Sequence, residues 1–256
     1  MIGAIFGDIV GSVHEHEATK TTNFPLFTQE SRFTDDTVMT IATAEALLSG
    51  EPYDRAYRRW GLRYPHAGYG SAFKVWLRTP NAPAYNSWGN GSAMRVSPVA
   101  YVHDTVDKVL AEAERSAAVT HDHPEGIKGA QAAALAVFLA RVGVTKAEIR
   151  RELESRFGYD LSRTIDGIRP VYRFDVSCQG SVPEALIAFL DTNDVETAVR
   201  TAISLGGDAD TQAAIAGAAA AAFAGDVADA VQREVRARLP ADMIEVLDAF
   251  VERYPG

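Results

Sequence analysis

Two short segments carry oxygen ligands in a pattern that could do chemistry: Phe33-Thr34-Asp35-Asp36-Thr37 and Gly206-Gly207-Asp208-Ala209-Asp210-Thr211. Each supplies two carboxylates and a hydroxyl. Hard oxygen donors of this kind suit Mg²⁺, Mn²⁺ or Ca²⁺ rather than zinc. If the segments converge, four carboxylates and two threonine hydroxyls surround one small volume. Their mutual repulsion would then raise several pKa values unless cations neutralised them, and the set is adequate for two ions sharing a bridging Asp. Either segment alone is explained by helix capping, since Thr and Asp are favoured N-caps and an acid in a first turn contributes on the order of 0.3–1 kcal/mol. Capping does not call for the second Asp in each segment, nor for a Gly-Gly pair that lets the backbone bend closely around a bound group.

Both segments stand where long helices begin. Val38, Ile41, Ala42 and Ala46 predict a helix over 34–49 that closes at Gly50, and an Ala-rich helix is predicted over 210–224. Further helices are predicted over 105–119, capped by Asp104 or Thr105, and over 124–141, where Pro124 sits in the first turn. Capping boxes of the Ser/Thr-x-x-Glu type are expected at Thr145 with Glu148 and at Ser181 with Glu184. Segments 193–205, 226–239 and 240–254 complete the series, and strand patterns are nearly absent, so a single all-α domain over 1–256 is expected. The stretches 15–32, 65–95 and 158–180 read as long polar loops, of the kind that build sites.

Composition narrows the partners. With 47% hydrophobic and 23% charged residues, the chain should bury a core. The 34 acidic against 25 basic residues, a net charge of -9, argue against an extended nucleic-acid surface. The single Cys178 removes disulfide scaffolds and cysteine-based zinc sites and fits a cytoplasmic location. The apolar runs 132–140 and 213–224 fall short of the roughly 20 residues of a membrane span. Residues 1–12 carry Asp8 and no basic start, unlike a signal peptide.

Three further blocks accompany the acidic pair: Gly7-Asp8-Ile9-Val10-Gly11-Ser12 leading to Glu15, Ser87-Trp88-Gly89-Asn90-Gly91-Ser92-Ala93-Met94-Arg95, and Thr120-His121. Together, in this order and across nearly the whole chain, the five blocks resemble the ADP-ribosylglycohydrolase family. The resemblance implies a compact orthogonal all-α fold with a two-metal centre, Mg²⁺ or Mn²⁺, that hydrolyses the bond between C1″ of ADP-ribose and an acceptor. By motif, Thr34, Asp35 and Asp36 would hold one ion and Asp208 and Thr211 the other, with Asp210 bridging. Glu15 matches the family's acidic position near the metals, with Glu17 a second choice. Asp35, Asp36 or Glu15 would accept the proton of the attacking water.

In the glycine turn, Gly89 and Gly91 would let the backbone approach the diphosphate, Ser87 and Asn90 would hydrogen-bond, and Trp88 would give bulk. His121 matches a ligand-contacting histidine of the family, and Tyr172 and Phe174 are possible adenine stackers. Arginine, serine, a nucleic-acid base and a small ADP-ribose conjugate all stay open as acceptor. Two rivals remain: a zinc hydrolase built on His14-x-His16 and His121-x-His123, and a non-catalytic ADP-ribose reader or crystallin-like structural relative.

Overall fold

The computed structural model describes residues 1–255. In chain order the helices are α1 (Ile2–Gly11), α2 (Asp35–Ser49), α3 (Tyr53–Arg63), α4 (Ser71–Arg78), α5 (Gly91–Met94), α6 (Val106–Ala118), α7 (Pro124–Arg141), α8 (Lys146–Phe157), α9 (Ile165–Ile168), α10 (Cys178–Leu190), α11 (Val195–Ile203), α12 (Ala209–Ala224), α13 (Asp229–Arg236) and α14 (Ala241–Arg253), with a 3₁₀ turn at Ser97–Tyr101. The described residues contain no strand. One isolated antiparallel bridge, Gly89 with Ser177, ties the glycine turn to the entry of α10.

The centre of the molecule is α1 against α12. Every residue of α1 from Gly3 to Gly11 is buried, so this helix has no solvent face. Its glycines recur every fourth residue, lining one stripe. A Cβ on Gly3 would stand 2.2 Å from the carbonyl oxygen of Gly217, and one on Gly11 would stand 2.4 Å from the Cα of Asp210. The alanines of α12 present an equally flat surface, so two backbones touch where larger side chains would hold them apart. That contact carries Asp8, on α1, to the start of α12. Around this pair pack α2, α7, α10 and α11, which contribute Val38, Ile41, Leu135, Val182 and Val199 to the core.

Local signals explain most helix ends. Thr34 caps α2 by accepting from the Asp36 N–H at 3.3 Å, and Gly50 closes it in the left-handed region with φ 74°. The capping box at Thr145 and Glu148 is present with both bonds. The one expected at Ser181 is not: Ser177 caps α10 by accepting from Gly180, while Ser181 donates to the Ser177 carbonyl and Glu184 pairs with Arg163 at 2.8 Å. A nearer hydroxyl with a free helix start thus displaces the more distant box. Thr105 occupies the N-cap of α6 without a side-chain bond.

Two stretches expected as loops contain helices, α4 within 65–95 and α9 within 158–180, and α1 and α3 had no sequence reading as helices. The α3 helix is an ordinary amphipathic one that buries Tyr53, Ala56, Tyr57 and Trp60. Apolar residues on every side of α1 hide its period. No helix among the described residues is long and apolar enough to cross a membrane.

Candidate metal centre and substrate cleft

The starts of α2 and α12 meet. The Thr34 hydroxyl lies 3.4 Å from Asp210 Oδ2 across 176 positions of sequence, and the Thr211 hydroxyl donates to Asp36 Oδ2 at 3.2 Å. Carboxylate oxygens of Asp8, Asp36 and Asp210 lie within 4.8 Å of one another, as do those of Glu15, Asp208 and Asp210. Asp210 therefore belongs to both triads, one facing α2 and one facing the loop after α1. Glu15 is the carboxylate that reaches the cluster from that loop; Glu17 is exposed.

Asp8 was not among the sequence-derived ligands, and its bonding gives it another task. It accepts from the Thr34 N–H at 2.9 Å, the Thr34 hydroxyl at 2.6 Å, the Thr37 N–H at 3.1 Å and the Thr37 hydroxyl. With both oxygens accepting from four donors, Asp8 is the carboxyl that fastens the N-terminus of α2, and these bonds partly counter the burial that raises its pKa. It positions Thr34 and Asp36 and has little lone-pair capacity left for an ion. The signal that could have found it was its position one residue after Gly7, inside an apolar segment where an isolated Asp needs partners.

Asp36 is the reverse case. Its Oδ1 is buried and has no hydrogen-bond partner among the described residues. Burial first, then the charges of Asp8, Asp35 and Asp208, hold its carboxyl well above the ordinary range, and burial with neighbouring carboxylates does the same to Asp210. Asp35 is pushed up to about 8, by burial first and then by Asp8. Asp208 is raised by burial, partly countered by bonds that include the Asn90 amide at 2.7 Å. A set of oxygens that cannot all ionise without help, one of them orphaned, fits divalent cations. Asp35 stands apart from both triads: of the described residues only its own backbone N–H bears on its carboxylate, and a Cβ on Gly68 would stand 2.8 Å from its Oδ1.

A cleft of about 360 Å³ opens onto this cluster. Ser87, Gly89, Asn90, Gly91 and His121 line it together with Glu15, Asp35, Asp36, Asp208, Asp210 and Thr211. The glycine turn is held in place by backbone pairing, Asn90 N–H to the Val176 carbonyl and Cys178 N–H to the Trp88 carbonyl, both 2.8 Å. Asn90 spends its side-chain amide on Asp208 and Ser181, so it orients a carboxylate and leaves fewer donors for an anion. Trp88 points outward, 53% exposed, edge-on to His123 at 5.7 Å. Tyr172 packs inward, donating to the Gly180 carbonyl at 2.6 Å, while Phe174 is exposed. The histidines do not make a zinc site: His14 packs at a tilt against Phe24, His16 is exposed, His123 caps α7, and His121 binds Thr120.

Comparison with known proteins agrees with this geometry. Residues 1–255 match the family model for ADP-ribosylglycohydrolase. The chain is 30% identical to ADP-ribosylhydrolase ARH3 of Mus musculus, over 88% of this chain and 82% of that protein. It is 25% identical to the ADP-ribosylarginine hydrolase Tri1 of Pseudomonas putida (strain GB-1), over 88% of this chain and 69% of that one. A solved structure described as an ADP-ribosylglycohydrolase-related protein complex superimposes with a TM-score of 0.72 at 26% identity, covering 98% of this chain and 96% of that one. A family match along the described length, with a solved relative of the same fold, makes this all-α chain a member of the ADP-ribosylglycohydrolase family.

Proposed function

We propose that the chain, acting as a single domain, is a divalent-cation-dependent hydrolase that cleaves the glycosidic bond between ADP-ribose and an acceptor. The observation that carries this reading is the meeting of Thr34 and Asp36 with Asp210 and Thr211 at the floor of a cleft whose wall is the Ser87–Gly91 turn. Asp36, Asp210, Thr34 and Thr211 would hold one or both of two ions, Mg²⁺ or Mn²⁺, with Asp208, Glu15 and Asp35 completing the set. Such ions supply Lewis-acid polarisation of the ribose hydroxyls and acidify a water.

The chain's own groups supply position and proton transfer. Asp8 fixes the first turn of α2, and Asn90 fixes Asp208, so the reacting sugar meets carboxylates already oriented. Glu15 and Asp35 face the cleft and are the two carboxylates placed to take the proton of the attacking water as the bond at C1″ breaks. His121 and the glycine turn receive the rest of the nucleotide, and Trp88, between two residues of that wall, points its exposed ring outward. ARH3 and Tri1 carry names of hydrolases acting on ADP-ribosyl linkages, which supports the reaction class. The single buried cysteine supports a cytoplasmic location.

The test is release of ADP-ribose from ADP-ribosylated arginine, serine and nucleotide conjugates and from O-acetyl-ADP-ribose, each with EDTA, Mg²⁺ or Mn²⁺. Cation-dependent release from at least one conjugate is expected. Binding of ADP-ribose with no release from any would favour a reader over an enzyme.

A further inference from the structure

Beside its carboxylates the cleft is lined by a cation, Arg95, which is 1% exposed and pairs with no described carboxylate. The guanidinium lies 4.1 Å from the centre of the Tyr57 ring, and its Nη2 donates to the Ser116 carbonyl at 3.0 Å and to the Thr120 hydroxyl at 2.9 Å. Its Nε has no partner. A dry, uncompensated guanidinium is expensive to keep, so its bonding calls for an account.

Proton counting along the next link gives one. Thr120 is fully buried, and its oxygen lies 2.7 Å from His121 Nδ1. Arginine can only donate, so Thr120 accepts from Arg95 and has one proton of its own to place. If Nδ1 carried a proton, Thr120 would accept twice and its hydrogen would be stranded without an acceptor. If Thr120 donates to Nδ1, both the Thr120 proton and the Nδ1 lone pair are matched, and the neutral ring must carry its proton on Nε2. Burial and the Arg95 charge both disfavour the imidazolium. Nε2 has no hydrogen-bond partner among the described residues and faces the glycine turn: a Cβ on Gly91 would stand 3.1 Å from it, and one on Gly89 3.7 Å.

We propose that Arg95, acting through Thr120, locks His121 in the Nε2–H tautomer, so that the ring is a fixed neutral donor to an anionic oxygen of the nucleotide sugar in the cleft. Arg95 and Thr120 are then positioning residues for substrate recognition, and the buried positive charge behind the ring strengthens the attraction for phosphate oxygen. The role toward the ligand rests on the ADP-ribose reading above; the tautomer does not.

Two measurements test it separately. In protein labelled with ¹⁵N-histidine, long-range ¹H–¹⁵N correlation from pH 6 to 8 should show His121 with a protonated Nε2 and an unprotonated Nδ1. The opposite pattern, or an imidazolium titrating in that range, overturns the proposal. Thr120→Val should mix the tautomers and weaken binding of free ADP-ribose, measured by calorimetry with Mg²⁺, about tenfold, and Thr120→Ser should keep both properties near wild type. An unchanged tautomer in Thr120→Val, or a lost tautomer with unchanged affinity, overturns it as well. Should Thr120→Val fail to fold, the wild-type spectrum and Thr120→Ser decide. A wild-type protein that shows the expected tautomer but does not bind ADP-ribose counts against the functional reading and leaves the relay standing.

Discussion

Gly7 lies directly on the backbone of Ala213: a Cβ at Gly7 would stand 2.1 Å from the Ala213 carbonyl oxygen. This contact sets the depth at which α1 meets α12, and so sets the distance between the Asp8 that organises α2 and the Asp210 that begins the first turn of α12. Gly7→Ala should force the helices apart. Overpacking of a tight interface costs about 1–3 kcal/mol. Urea unfolding should show a loss of that order, and stabilisation by Mg²⁺ should shrink with it. Gly70→Ala, where nothing lies within 4 Å, is the control and should leave both unchanged.

Asp8 and Asp35 are both acids near the same centre, yet their replacement by Asn should act oppositely. Asp8→Asn turns an NH₂ toward donors on Thr34 and Thr37, and loss of a buried acceptor with four partners should cost about 3 kcal/mol of stability. Asp35→Asn removes a buried carboxylate that no neighbouring residue hydrogen-bonds and should leave the cation-free protein as stable or more so. In the Asp35→Asn, Asp36→Asn double variant, turnover should vanish and divalent-cation affinity should fall. Full activity in that double variant would remove the proposed roles of these two residues.

The stability of the cation-free protein should depend on pH with a definite sign. The carboxyl of Asp35 moves from the ordinary 3.8 to about 8 on folding, by burial first and then by its acidic neighbours. The folded state therefore holds a proton that the unfolded chain has released, and this contribution is fully present below the unfolded value and lost as pH rises to about 8. Asp36 and Asp210 shift in the same direction. Melting in EDTA should drop between about pH 4 and pH 8, and the gap between EDTA and Mg²⁺ samples should widen over that interval. Parallel curves would mean that the cations do not neutralise these groups.

Lys20 fastens the loop that carries Glu15. Its ammonium donates to the Tyr172 carbonyl at 2.8 Å and to the carbonyl of Leu205, just before the Gly206-Gly207 turn. Lys20→Met should free that loop while leaving the core intact. Hydrogen exchange over residues 13–32 should accelerate, and kcat/KM should fall several-fold with little change in melting temperature.

Trp88, next in sequence to Ser87 and Gly89 of the cleft wall, tests whether an outward-pointing ring reaches the ligand. Because the ring is 53% exposed, Trp88→Ala should change stability by no more than about 0.5 kcal/mol. If the ring stacks on adenine, affinity for ADP-ribose should weaken about tenfold while affinity for ribose 5-phosphate stays the same, since base stacking on an aromatic side chain is worth about 1–3 kcal/mol. Equal affinity for ADP-ribose would assign Trp88 to the surface.

The amino-acid pattern by itself determined that the chain is helical, where α2, α7, α8 and α12 begin, and that two oxygen-rich segments sit at helix starts. Those features are local: a capping hydroxyl, an apolar period and a closing glycine act within a few residues. What folding alone decided was nonlocal. An isolated Asp8 in an apolar segment signals a need for partners, but that those partners are Thr34 and Thr37 of α2 emerges only from the packing of α1. Glu15 rather than Glu17 joins the cluster because the loop after α1 turns it inward. Asn90, read as a phosphate contact, spends its amide on Asp208, and Trp88 faces outward. Arg95 and Thr120 stood inside two of the sequence blocks without a role of their own, since the tautomer of His121 depends on partners that meet only when the glycine turn, α6 and the start of α7 are packed together.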